Sequence, residues 1–262
     1  MENRTRPLIP VNPENLDDVA SGLLSGIPQG EGEQSKVSFP NNVNVVNPEK
    51  YIFLPAKNYS GNQSYTNTLL SLDRLHNGKN WFDAHKLLAA EGAYMPTIRQ
   101  FVDFVKLLKS GSALNGKGKP IDKAIINSTL DDIFKLGNYG GRWLDADFKV
   151  VGNVLNMNYG HRVDGSGLKY KHSEQLISST LMSDRKPGID LTDWISRATN
   201  QGLPSQDAIQ GDIWYYKPLA DNNSVARFGA DSGGAGLVCN GVPSYTDSSL
   251  GVHAARKIGG SK

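Results

Sequence analysis

The sequence predicts an α+β domain, with two or three helices and short antiparallel strands. Three observations carry this. A short apolar run opens the folded part, capped helical patterns follow, and from Gly140 the pattern turns to short strands separated by Gly-rich turns. The chain has 262 residues, of which 38% are hydrophobic, enough to bury a substantial core in one domain. Residues 1–41 differ in character: Pro7, Pro10, Pro13, Pro28 and Pro40 and the run that starts at Gln29 favour extended or mobile chain. Within that stretch, residues 13–24 carry Leu16, Val19, Leu23 and Leu24 behind a proline, an amphipathic helix that packs on the domain or docks an assembly partner. Residues 42–262 are expected to form the domain itself.

Residues 51–54, Tyr-Ile-Phe-Leu closed by Pro55, predict the opening strand. Asn80 is placed to cap a helix over residues 81–91, with Asp83 in the first turn and Gly92 as its stop. Thr97 and Gln100 have capping-box spacing ahead of a second helix, whose apolar face is Ile98, Phe101, Val102, Val105 and Leu108. A third is expected over residues 121–136, with Ile121, Ile125, Leu130, Ile133 and Phe134 inward and Gly137 as C-cap. The Gly/Lys-rich linker 111–120 is expected to be exposed. Residues 143–148 and 152–159 predict strands joined by a Gly turn, 193–197 a short helix and 212–216 another strand.

Residues 225–258 alternate two kinds of position. Val225, Ala226, Arg227, Phe228, Ala230, Asp231, Ser232, Leu237, Cys239, Pro243, Ser244, Leu250, Gly251, Val252 and Ala254 have the character of a framework. Gly229, Gly233, Gly234, Gly236, Val238, Asn240, Gly241, Val242, Tyr245 and Asp247 follow no chemical logic. The ordered phrases VARF-x-ADS, L-x-C, PS and LGV-x-A-A resemble the C-terminal variable region of proteins diversified by retroelements. Pro96-Thr97, Trp143-Leu-Asp-Ala146 and Gly211-Asp212-x-Trp214 are similar to phrases of the enlarged C-type lectin fold that such proteins share with formylglycine-generating enzymes. The resemblance implies a C-type-lectin-like domain whose ten arbitrary positions form a changeable ligand-binding surface, largely exposed and tolerant of substitution. Adenine-directed mutation in that family excludes Met, Trp, Gln, Lys and Glu at diversified sites. None of these occurs between Val225 and His253, although all occur elsewhere in the chain. Tyr245, the one aromatic at an arbitrary site, is the expected anchor of affinity.

Other classes find little support. The net charge of +2 and the absence of basic blocks argue against nucleic-acid binding. The lone Cys239 excludes an internal disulfide and multi-cysteine zinc, and it leaves formylglycine-type copper-thiolate chemistry without its second thiol. The five histidines have no metal-ligand spacing; His85 is expected at the surface or its boundary and His161 in a solvated loop. Asp231-Ser232 is expected to be a turn that bonds its own backbone rather than a nucleophile. Neither a carboxylate cluster for Ca²⁺ nor the sugar-binding phrases of animal lectins are present. Residues 1–10 lack the apolar core of a secretory leader, and no apolar run approaches a membrane span. The expectation is therefore a soluble, non-enzymatic binding protein without metal or cofactor. It would recognise a protein or glycan on a host or target surface and be carried on a virion or cell surface. A structural virion or surface-assembly protein is the alternative.

Overall fold

The computed structural model describes residues 45–135, 140–165, 167–177, 181–183 and 185–258. The expected N-terminal extension, its amphipathic helix and the Gly137 cap lie outside them. The elements run β1 (Tyr51–Leu54), β2 (Thr68–Ser71), α1 (Trp81–Ala90), α2 (Ile98–Lys109) and α3 (Lys123–Phe134). There follow β3 (Gly140–Val151), β4 (Val154–Tyr159), β5 (Arg162–Asp164), β6 (Gly167–Lys169), β7 (His172–Gln175), β8 (Arg185–Ile189) and α4 (Leu191–Arg197). The last are β9 (Ile213–Tyr216), β10 (Ser224–Asp231), β11 (Gly234–Gly241), β12 (Leu250–Gly251) and β13 (Ala255–Lys257). The mixture is α+β, as the sequence predicts. No helix among the described residues is long and apolar enough to cross a membrane.

The main sheet runs β7-β4-β3-β10-β11-β9-β8, with β12 pairing the start of β3. Its ladders are antiparallel except β9 with β11 and β12 with β3, which are parallel. A smaller antiparallel sheet, β1-β2-β13, joins the first strand to the last. The β3–β4 hairpin turns on Gly152 and Asn153, both at positive φ (57° and 65°), the twist that a two-residue connection needs.

The helices form where their caps are. The Asn80 side chain accepts from Asp83 N at the start of α1, and the Thr97–Gln100 box closes reciprocally at the start of α2. All five expected core residues of α2 are buried. Helix α3 is shorter than expected, because Asp122 accepts from Ala124 N and so starts the helix after Ile121. That phase turns Ile126 inward and leaves Ile125 47% exposed, against the sequence expectation. The linker 111–120 is also not simply exposed. Phe53 N donates to Leu114 O, Gly116 N donates to Pro48 O and Tyr51 O, and Ala113 is buried, so the segment lies along the edge of β1.

Phe228, on β10, sits where the layers meet. Its ring packs against Phe101 of α2 at 5.2 Å, Phe134 of α3 at 5.5 Å and Trp194 of α4 at 6.0 Å. The helices thus cover one face of β10 and β11 and leave the other free. At the start of β3, Asp132 pairs with Arg74 at 2.8 Å and with the fully buried Arg142 at 3.0 Å. Arg74 also donates to Ser249 O, which fixes the loop before β12 against β3.

Candidate functional site

Strand periodicity sorts the C-terminal segment onto two faces. On β11, Ala235, Leu237, Cys239 and Gly241 are buried, whereas Val238 and Asn240 are part-exposed. On β10, Ala226, Phe228 and Ala230 are buried between Arg227, Gly229 and Asp231. On β9 the fully buried Tyr215 separates the half-buried Trp214 and Tyr216. The outer residues of the three strands converge on one open concavity of about 440 Å³. Gly140 and Gly141 of β3 form one side, and Tyr245, Asp247, Ser249 and Leu250 form the rim.

Seven of the ten arbitrary positions line this concavity: Gly229, Gly234, Gly236, Val238, Asn240, Tyr245 and Asp247. Gly233, Gly241 and Val242 do not; Gly233 and Val242 are exposed, and Gly241 is buried beside Val225 and the Arg227 side chain. Of the ten, expected to be largely exposed, Gly233, Val242 and Tyr245 are exposed, five are half-buried, and Gly236 and Gly241 are buried for a steric reason. A Cβ on Gly236 would lie 2.9 Å from Trp214 O, and one on Gly241 would lie 2.9 Å from Val225 O. Gly234, at φ +144°, has the backbone conformation that L side chains rarely adopt. At Gly229 a Cβ would meet nothing closer than 3.6 Å.

The rim is built around Asp247. Its Oδ1 accepts from Ser249 N at 2.8 Å and from Ser249 Oγ at 2.5 Å, and its Oδ2 accepts from Tyr245 Oη at 3.2 Å. The Ser249 hydroxyl and backbone N–H hold this carboxyl below the usual carboxylate range. The Arg227 guanidinium lies 5.4 Å from the centre of the Tyr245 ring, which is 45% exposed. Asp247 thus has a structural task that its placement among arbitrary positions concealed. Trp214 and Tyr216 line the face rather than the core where the sequence placed them by preference, and Arg227 and Asp231, read from the sequence as framework, line it too. The alternation of Trp214 and Tyr216 about Tyr215 was the signal. Asp231 makes the expected turn, accepting from Gly233 N at 2.7 Å, and Ser232 is exposed. Cys239 is buried on the core face, and burial pushes its thiol pKa well up, so it is not a ready nucleophile.

A second cluster overturns the expectation for two histidines. His85 of α1 and His161, after β4, are both buried, and Trp81 meets their rings edge-on at 4.4 and 4.9 Å. Between them stands Asp145. β3 gains residues relative to β10 between Trp143 and Asp147, a bulge that frees Asp145 N to donate to Pro96 O. Asp145 Oδ2 accepts from the backbone N–H of Gly160 at 2.8 Å and of His161 at 3.2 Å. Its Oδ1 lies 2.5 Å from His161 Nδ1. Burial alone would raise the Asp145 carboxyl, but the His161 bond, both imidazoles and the backbone donor outweigh it and hold it low. Burial pushes the His85 imidazole down to about 4, which keeps it neutral. No spacing rule could find this trio, since its members are far apart in sequence and meet only through the bulge.

No protein-family description, curated protein or solved structure matches the chain.

Proposed function

We propose that this chain is a ligand-binding protein whose C-terminal segment is a surface varied by a retroelement, carried on a C-type-lectin-like domain of the enlarged kind. One observation carries the reading. Most positions that look arbitrary in the sequence gather around one concavity over β10 and β11, while the apolar framework positions between them are buried. Seven of the arbitrary ten line a single concavity of about 440 Å³, a size and shape suited to a projecting loop or a glycan. Tyr245, Trp214 and Tyr216 supply rigid aromatic area, and Asn240, Arg227 and Asp231 supply adaptable polar contacts. This is the mixture on which variable binding faces rely. The ligand is a protein or glycan on a host or target surface, and the carrier is a virion or a cell surface. The reading includes no enzymatic activity.

The DNA around the gene tests this. A near-identical repeat of the segment coding for residues 225–258, differing from it only where the repeat has adenines, is the expected result. A flank without such a repeat, together with identical face residues across independent isolates, would overturn the proposal in favour of a structural assembly protein.

A further inference from the structure

We infer that His85, Asp145 and His161 form a binding site for a divalent transition metal, with Zn²⁺ the best fit. The three side chains offer one ligand atom each, all within 4.8 Å of one another, and all three are buried. Neighbouring ligands of a tetrahedral zinc with bonds of about 2.0–2.2 Å stand roughly 3.3 Å apart. Asp145 Oδ1 lies 2.5 Å from His161 Nδ1 and 3.8 Å from His85 Nε2, on either side of that spacing, and the two ring nitrogens lie within 4.8 Å of each other, so the set closes around an ion with shifts of up to about 1.5 Å.

Two unsatisfied atoms point to the ion. His85 Nε2 has no hydrogen-bond partner although the residue is only 3% exposed, and 3.8 Å to Asp145 is too long for a hydrogen bond. Asp147 Oδ1 is also buried without a partner, 3.7 Å from His161 Nε2. A metal accounts for the first directly, and for the second where drawing His161 onto the ion lets its Nε2–H close on Asp147 Oδ1. It takes the His85 Nε2 lone pair directly. At His161 the proton between Nδ1 and Asp145 moves to Nε2, which faces Asp147, so the ring ligates through Nδ1 with no net loss of a proton. That is the carboxylate–histidine–metal arrangement that fixes a ligand's tautomer. Asp145 is held for the role, because its Oδ2 is occupied by two backbone N–H groups and Oδ1 is left for the ion. Two nitrogens and one oxygen suit zinc and not the all-oxygen shells of Ca²⁺ or Mg²⁺.

Three protein ligands leave one position for water or a further ligand. Asp145 and His161 also line a separate cavity of about 230 Å³, which gives the ion a route in. Arg162, Lys171 and Lys257 line it too, and repulsion from Arg162 and Lys171 adds to burial in lowering the Lys257 pKa. Such a wall favours an anionic group in the fourth position.

The test uses the full chain without a purification tag, stripped with a chelator and titrated with Zn²⁺ by calorimetry. One equivalent bound, a raised melting temperature and no comparable response to Ca²⁺ are expected. Co²⁺ in place of Zn²⁺ should give the intense visible bands of a four-coordinate site. His85→Gln should lose stoichiometric binding, and Asp147→Asn should weaken it by about 10–100-fold. No stoichiometric binding by the parent chain, or undiminished binding by His85→Gln, would overturn the assignment. If His85→Gln does not fold, imidazole ¹⁵N shifts of the parent decide: zinc must move the resonances of His85 and His161, and unmoved resonances refute the site.

Discussion

At the scale of single residues, the C-terminal segment contains glycines of two kinds. Gly229 opens onto the concavity with room for a side chain, whereas Gly241 faces Val225 O across the β10–β11 ladder. Gly241→Ala is therefore expected to cost about 1–3 kcal/mol through overpacking against backbone that cannot move aside. Gly229→Ala should stay within about 0.5 kcal/mol of the parent. Denaturant midpoints of the two variants check this, and equal losses would contradict the assignment of faces. The sequence made the segment's alternation visible but could not separate these glycines. A residue without a side chain carries no polarity to mark its face, and what excludes a Cβ is a carbonyl brought in by another part of the chain. Asp247 is the converse case: it looked replaceable, yet its carboxylate organises Ser249 and Tyr245.

At the scale of elements, β10 is the hinge between scaffold and surface. Its inward Phe228 is held by Phe101, Phe134 and Trp194 from three helices, while Arg227 and Gly229 look outward. Phe228→Ala is expected to cost about 3–5 kcal/mol, because three rigid rings cannot collapse into the space it leaves. A near-unchanged melting temperature would mean that β10 is not locked from behind. Local signals made β1, α1 and α2 legible, since caps and apolar periodicity are written in adjacent residues. Helix α3 was misplaced at its start because Ile121 continues the apolar pattern beyond the Asp122 cap. The bulge of β3 left no local trace at all. It arises from the mismatch between β3 and β10, and with it the burial of His85 and His161 escaped the sequence.

At the scale of the whole molecule, stability is expected to depend on pH through His253. The ring is fully buried against Phe104, and its Nδ1 faces Ser71 O at 2.8 Å. Burial, then the charge of Arg142 with a smaller part from Arg74, pushes its pKa down to about 3; the Ser71 carbonyl and Asp132 oppose this. In the unfolded chain the same ring titrates near about 6.5. Its contribution is therefore intact above pH ~6.5 and falls steadily as pH drops toward about 3, because only the unfolded state takes up the proton. Carboxylates held low, such as Asp132, lose their contribution only at lower pH, below the ordinary carboxylate value. Unfolding free energies between pH 7 and 5 should decline, and His253→Gln should flatten that decline. An unchanged slope in the variant would show that His253 takes up no proton on unfolding.

The separation of a fixed core from a replaceable face is tested most directly with two display libraries of the full chain. One randomises the outward residues Gly229, Val238, Asn240, Val242 and Tyr245; the other randomises the inward residues Ala226, Phe228, Leu237, Cys239 and Val252. The readout is the fraction of clones displayed as folded protein, followed by selection on unrelated protein and glycan targets. The first library should keep most clones folded and yield binders whose substitutions lie around the concavity, while the second should lose folded display. Equal loss of folded clones in both libraries, or a well-folded first library that yields binders to no target, would contradict a replaceable binding face.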